Sequence, residues 1–249
     1  MEPRKITPCF VVGWNIAAVR RLLAGKRLMV SFDLVRGGRV KLADLRGLTD
    51  LGCELVFDSG AFQAWTKGVA MDVPAYVNFL RSLNAEGIPW LWGAAPDVIG
   101  DESATRKGWE SLQSIAPDLR DKIVPVFHEG DSMSLLDSYE PGRRLIGLGR
   151  IDGRKSKKAS LAFYDDCFNR HPDLEAHALG NAAPELLSPF PIKSFDACSW
   201  ERGAAYSNAL PFPYNLCSRE SRMKCYVEGF DSIWHAPPEQ LSLRFGGGK

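Results

Sequence analysis

The sequence predicts a single α/β domain, a (β/α)8 barrel of the TIM-like kind with a C-terminal extension. Eight short apolar runs alternate with segments of helical periodicity, which is typical of a parallel sheet covered by helices. The chain of 249 residues has the length of one such barrel. An open doubly wound sheet would share the alternation, but no glycine-rich nucleotide-binding fingerprint supports it. We expect the barrel over residues 1–205 and the extension over residues 206–249.

Each apolar run has the length and the aromatic or β-branched content of a strand. The predicted strands lie within residues 9–14, 28–33, 54–60, 89–98, 122–130, 144–150, 174–181 and 192–200. Between them, residues 73–87 and 102–116 carry apolar side chains at close to 3.6-residue spacing, which predicts amphipathic helices. The C-terminal part is richer in proline and aromatic residues, so we expect it to wrap the barrel.

The composition predicts a globular protein of neutral overall charge. Hydrophobic residues make up 45% of the chain and charged residues 24%, which is enough to bury a full core. The net charge of +1 argues against binding to nucleic acid by bulk charge, although a local basic patch could still provide it. The six cysteines form no CxxC pair, which indicates reduced thiols in a cytoplasm. The apolar run near the N-terminus is too short to span a membrane, so we expect no membrane partner.

Polar residues follow the predicted strands where each strand ends. In a barrel these carboxyl ends meet at one rim, where substrate-handling groups collect. An aspartate after a strand is also a common helix N-cap, but seven polar groups at one rim are harder to explain as caps. The seven residues are Asp33, Asp58, Asp97, His128, Arg150, His177 and Asp196.

Asp58 and Asp196 form the sharpest pair in this set. Each follows a triplet that contains a phenylalanine and precedes small residues, and Ser59 and Gly60 let a ligand approach the backbone. Enzymes that cleave a bond to an anomeric carbon usually use two facing carboxyl groups. Phe62 is placed either to stack on a planar base or to pack as a plain core aromatic.

The histidines and the basic residues each leave two interpretations open. His128 either donates to a substrate carbonyl or is a satisfied rim histidine. His177 is a further candidate for substrate contact, and its other interpretation, which we favour, is that it packs and orients its neighbours. The basic loop at residues 150–158 is either a solvated face or a phosphate contact at the rim. Our candidates for contacts with nucleic acid are Arg154, Lys155, Lys157, Lys158 and Arg202, while Arg150 is a candidate for contact with the substrate beside the pocket.

Three C-terminal cysteines and a histidine could in principle form a zinc site, but their spacing argues against it. A Cys3His zinc site would need close ligand pairs, and the available residues are widely spaced. These residues are Cys198, Cys217, Cys225 and His235.

At this point several motifs resemble a known family. "FDSGAFQ" at residues 57–63 resembles the "DSGGFQ" signature of tRNA-guanine transglycosylases, (β/α)8 enzymes that exchange guanine for 7-deazaguanine bases. The segment "HALGNAAPELLSPFPIKSFDACSW" at residues 177–200 is similar to the part of that family that contains its nucleophilic aspartate. "APDVIGD", "PVFHEG" and "LIGLGRID" look like weaker motifs in the same order. The resemblance covers residues 54–200 as scattered motifs.

The resemblance implies a role for each matching position. Asp196 would be the nucleophile on the sugar C1′, and Asp58 the acid and base that handles the proton of the base. Asp97 would bind the Watson–Crick edge, Phe62 would stack on the base, and the Gly149 backbone would lie close to it. No redox or organic cofactor would be needed.

The departures from the family motifs indicate the acceptor. Ala61 stands where the family has glycine, His128 where it has glutamine, and Arg150 where it has a second glycine. The compact zinc motif is absent and the chain is short, as in the shortened, often phage-encoded relatives that insert 7-deazaguanines into DNA. The resemblance therefore implies base exchange in a polynucleotide, DNA rather than tRNA, with a free 7-deazaguanine, in the cytoplasm (of the host, if phage-encoded). Three alternatives remain open: base exchange in tRNA, a barrel lyase, isomerase or hydrolase acting on a metabolite, and a non-catalytic base-binding barrel.

Overall fold

The protein is described here from a computed structural model of the full chain. Structural statements refer to residues 6–13, 20–142, 144–149, 156–197, 221, 223, 224, 227 and 228. The predicted boundary near residue 205 lies outside these ranges and stays a prediction. So does most of the C-terminal extension.

Nine parallel strands form one sheet within the described ranges. The sheet order is β5-β4-β3-β2-β1-β9-β8-β7-β6, and every neighbouring pair is parallel. The first strand lies beside the last, with Cys9 opposite Asp196, so the sheet curls round on itself. The strands are β1 (Thr7–Val12), β2 (Arg27–Ser31), β3 (Glu54–Asp58), β4 (Trp92–Ala94), β5 (Ile123–Val124), β6 (Val126–His128), β7 (Leu145–Gly149), β8 (Glu175–Leu179) and β9 (Ile192–Ala197).

Pro125 divides one strand of the ring into β5 and β6. β5 pairs with β4 and β6 pairs with β7, so the two pieces together bridge the remaining gap in the sheet. Proline has no N–H to donate, which interrupts the ladder at this residue. Its carbonyl still accepts from the Gly147 N–H at 2.9 Å. Counted as one strand, β5 and β6 make an eight-stranded barrel, and the predicted fold class is confirmed.

Helices follow most of the strands and cover the outside of the barrel. The two helices predicted from periodicity are present, and Asp72 and Asp101 cap them by accepting from Ala75 and Ala104 N–H groups. No helix among the described residues is long and apolar enough to cross a membrane. The helices that lie wholly within the described ranges are α1 (Phe32–Arg36), α2 (Leu42–Thr49), α3 (Ala61–Thr66), α4 (Val73–Ala85), α5 (Glu102–Ile115), α6 (Met133–Ser138), α7 (Lys157–Arg170) and α8 (Pro184–Leu187), with a 3-10 helix at Pro117–Lys122.

Two apolar clusters define the inside and the outside of the barrel. The larger one packs strand residues such as Phe57 against helix residues such as Tyr76 and Leu80. The smaller one fills the barrel interior and consists of Cys9, Met29, Val56, Trp92, Ala94, Val124 and Val126. Since side chains alternate along a strand, residues two positions after these point inward at the carboxyl ends. Ser31, Asp58 and His128 occupy such positions, so the fold directs them into the mouth of the barrel.

Candidate active site

Asp58 is partly buried at the end of β3, where the chain turns sharply into α3. Its Oδ2 accepts from the Gly60 N–H at 3.1 Å, and the buried Ser59 Oγ accepts from the Ala61 N–H at 3.3 Å. Gly60 has a φ of +84°, and a Cβ there would lie 3.3 Å from the Asp33 nitrogen. The turn therefore favours glycine. Asp58 thus stabilises the turn by accepting from the Gly60 N–H, and its carboxyl group also faces the mouth of the barrel.

The surroundings of Asp58 raise its pKa from 3.8 to about 6. Burial is the largest cause, and the negative charges of Asp97 and Asp196 add to it. The Ser31 hydroxyl and the Gly60 N–H act in the opposite direction. Ser31 Oγ lies close enough to the Asp58 carboxyl group to lower its pKa. Among the described residues, however, Ser31 Oγ has no partner in full hydrogen-bond geometry. A carboxyl group with such a pKa can both give and take a proton near neutral pH.

Asp196 lies on β9 and is held through one of its two oxygens. Oδ1 accepts from the Gly180 N–H at 2.7 Å and lies 3.2 Å from His177 Nε2. His177 Nδ1 lies 2.8 Å from Ser194 Oγ, and its ring meets Trp92 edge-on with centroids 4.8 Å apart. Oδ2 has no hydrogen-bond partner among the residues that the structure describes, so it is the oxygen available for chemistry.

His177 occupies a different position from the one expected of a substrate ligand. Its side chain has no exposed surface and sits behind Asp196, so it contacts the carboxylate and not the open mouth. The prediction that it orients its neighbours agrees with this position. The prediction of substrate contact does not, because a substrate cannot reach a ring that is fully enclosed.

His128 and Asp97 form a second pair at the mouth. His128 Nε2 lies 3.1 Å from Asp97 Oδ2, and its backbone N–H donates to Asp131 at 2.8 Å. A Cβ on Gly149 would lie 2.6 Å from His128 Cδ2, so the glycine is needed to accommodate the imidazole. The space above Gly149 thus holds His128, and contact of this backbone with a base stays a prediction. The same is true of base recognition by Asp97.

The side chains of Phe62 and Asp33 contact exposed residues near them. Phe62 is 55% exposed on α3, with its ring 5.9 Å from that of Trp65, which excludes the core-aromatic alternative. Stacking on a base remains its predicted role. Asp33 pairs with Lys67 at 3.0 Å and with Arg36 at 3.2 Å, and the hydrogen bond from Lys67 is the main cause that lowers its pKa. It therefore belongs to a surface ion-pair cluster.

The predicted nucleic-acid contacts are only partly described. Lys157 and Lys158 are exposed in the first turn of α7, which Ser156 caps by accepting from the Ala159 N–H. Among the described residues, no cluster of three or more His, Cys, Asp or Glu could hold a metal ion. Eight predicted residues lie outside the described ranges, namely Arg150, Arg154, Lys155, Arg202, Cys198, Cys217, Cys225 and His235.

Several residues of the site carry little signal in the sequence. Ser31 and Ser194 are small hydroxyl residues, Gly180 contributes only its N–H, and Trp92 reads as an ordinary core aromatic. Ser194 lies two positions before Asp196, so the period-two rule for strands could have placed both on one face. That rule needs the inward-facing register, which a single sequence does not provide.

The comparisons with known proteins support the fold. Neither a protein-family model nor a protein of curated function matches the sequence. Among solved structures, the chain is similar to N-acetylneuraminate lyase from Mycoplasma synoviae, with a TM-score of 0.57 and 10% identity, over 98% of this chain and 79% of that one. At this identity the similarity shows the α/β barrel alone. The chemistry must be argued from the site.

Proposed function

We propose that this protein is a base-exchange transglycosylase that replaces guanine in a polynucleotide, preferably DNA, with a 7-deazaguanine derivative. The observation that carries the proposal is the convergence of two unlike carboxyl groups at the barrel mouth. Asp58 has a pKa raised to about 6, partly by the charge of Asp196. Asp196 has one oxygen held by two nitrogen groups and the other free among the described residues.

In the first half of the reaction, Asp196 Oδ2 attacks C1′ of the target nucleoside. The C1′–N9 bond breaks with its electron pair going to guanine, while Asp58 delivers its proton to the departing base. A covalent glycosyl ester of Asp196 remains, reached through an oxocarbenium-like transition state. A donor with a pKa near 6 is suited to this step because a useful fraction of it is protonated near neutral pH.

In the second half, the incoming 7-deazaguanine occupies the vacated position. Asp58, now ionised, takes the proton from N9 of the new base, and N9 attacks C1′. The C1′–Oδ2 bond breaks, its electron pair returns to Asp196, and both carboxyl groups regain their starting state. Two displacements on opposite faces retain the configuration at C1′. The reaction is balanced without any oxidant or reductant.

The rest of the mouth supports recognition of a base and a polymer. His128 and Asp97 provide paired polar groups that can contact base edges. The exposed Lys157 and Lys158 can approach phosphates, and a base in a duplex would have to leave the stack to reach the carboxyl groups. DNA is favoured over tRNA as the acceptor because the resemblance is to short DNA-modifying relatives.

The test measures transfer of labelled guanine into purified DNA and into tRNA. We expect label in DNA with the wild-type protein and none with Asp196→Asn or Asp58→Asn. Asp165→Asn, which removes an exposed carboxylate on α7, is the matched control and should exchange normally. Label in tRNA alone would overturn the choice of acceptor, and no label in either polymer would overturn the proposal. Full activity of Asp196→Asn would refute the assignment of the nucleophile.

A further inference from the structure

The chain Ser194–His177–Asp196 is enclosed on the inner faces of β8 and β9. Ser194 is 1% exposed, His177 is not exposed, and Asp196 is 8% exposed. The three groups are linked by contacts of 2.8 Å and 3.2 Å. They lie next to the apolar cluster that fills the barrel interior. Trp92 belongs to this cluster, and its ring packs against the His177 imidazole.

An irregularity in the sheet brings these residues together. Ala176 pairs with Ile192, but His177 pairs with Ser194, so Lys193 is an extra residue on β9. Such a β-bulge re-aims the side chains that follow it and is common next to active sites. Here it leaves Lys193 exposed and points Ser194 inward opposite His177, with Asp196 two residues further on the same face.

We propose that His177 is a positioning residue, fixed by Ser194 as the Nε2–H tautomer, which holds the nucleophile Asp196 with Oδ2 facing the substrate. The inference rests on the proposed function. An ionised carboxylate can only accept hydrogen bonds, so Nε2 must carry the proton that points to Oδ1. In the proposed Nε2–H tautomer Nδ1 is an acceptor, and the Ser194 hydroxyl donates to it. The Gly180 N–H is the second donor to the same oxygen.

The arrangement has a direct consequence for the covalent intermediate. When Oδ2 bonds to C1′, Oδ1 becomes the carbonyl oxygen of the ester and keeps both donors. When the incoming base displaces the ester, the electron pair of the C1′–Oδ2 bond returns to the carboxylate and Oδ1 shares the negative charge. Two preorganised donors in an enclosed site stabilise this developing charge, as in an oxyanion hole. His177 therefore orients Asp196 for formation of the intermediate and stabilises the charge that returns to it during breakdown, without touching the substrate.

The first test is spectroscopic and does not depend on activity. The protein contains four histidines, so long-range 1H–15N spectra of uniformly labelled protein resolve few imidazoles. The spectrum of His177→Gln assigns the signal by its loss. We expect a neutral His177 ring with the proton on Nε2, and a change of that signal in Ser194→Ala. A proton on Nδ1 alone, or on both nitrogens, would overturn the proposal.

The second test separates positioning from a merely structural role. His177→Gln keeps an N–H near the Nε2 position, whereas His177→Leu fills a similar volume without a donor. We expect His177→Leu to lower the rate constant of base exchange about 100-fold, the typical effect of losing one such donor, with KM for the polymer unchanged. His177→Gln should recover most of this loss.

Controls keep the outcomes distinct. Ser160→Ala removes another fully buried hydroxyl, which donates to the Ser156 carbonyl, and should leave exchange unchanged. Circular dichroism and thermal unfolding verify that each variant is folded. Equal rate losses in folded His177→Gln and His177→Leu, or a change in KM alone, would overturn the positioning role. If the wild-type protein exchanges no base in any polymer, the proposed function fails, and the 15N spectrum still decides the tautomer.

Discussion

Replacing Asp58 with asparagine is expected to stabilise the protein in a pH-dependent way. The pKa of Asp58 is raised from 3.8 to about 6, mainly by burial, so the folded state binds this proton more tightly than the unfolded chain does. The free energy of unfolding of the wild-type protein therefore falls as the pH rises through this window and levels off above it. About two pKa units correspond to about 3 kcal/mol. Asparagine does not titrate, so it avoids this cost.

The prediction is checked by urea unfolding of both proteins between roughly pH 4 and pH 8. The difference in free energy, Asp58→Asn minus wild type, should increase by up to about 3 kcal/mol across this range. Asparagine can still accept from the Gly60 N–H, so the turn into α3 is retained. Asp165→Asn, at an exposed site, is the control for the change from aspartate to asparagine itself. A difference for Asp58→Asn that is flat with pH would refute the account of a carboxyl group whose pKa is raised by burial.

Three further predictions concern other parts of the molecule. Gly149→Ala forces the new Cβ against the His128 ring and should cost about 1–3 kcal/mol of unfolding free energy, measured by denaturant unfolding; an unchanged midpoint would contradict the packing described. Gly47→Ala, inside α2 with open space at its Cβ, should instead stabilise by about 0.5–1 kcal/mol in the same assay, and a loss would contradict the helical assignment. Replacing Lys157 and Lys158 together with glutamine should reduce the slope of log binding constant against log salt for DNA by about 2, and an unchanged slope would remove these lysines from the interface.

The sequence predicted the barrel well because strand positions depend on local hydrophobicity. All eight apolar runs overlap strands, β1 and β2 begin slightly earlier than predicted, and one predicted strand is divided at Pro125. The proline was visible in the sequence. The sequence did not show that this proline divides the strand, because the two pieces pair with different neighbouring strands and strand pairing depends on residues far apart in the chain.

The rim residues were predicted with uneven success for a similar reason. Asp58 and His128 continue the inward-facing period of their strands, so their inward position follows from the strand pattern, whereas Asp196 points inward only after the bulge at Lys193. Asp33 lies beyond the end of β2 in α1, and its partner Lys67 is far away in the chain. The position of His177 behind Asp196 depends on the bulge at Lys193, which no periodic pattern indicates.

The division of a strand at Pro125 also affects how the protein resists aggregation. A closed barrel presents no free edge on which a foreign strand could be templated. If this ring parted at the proline, the edges released would be β5 and β6, which have two and three residues. Segments this short, next to a residue that cannot donate, are poor templates for intermolecular pairing. The interrupted strand of the barrel is thus also a poor site for pairing with a strand of another chain.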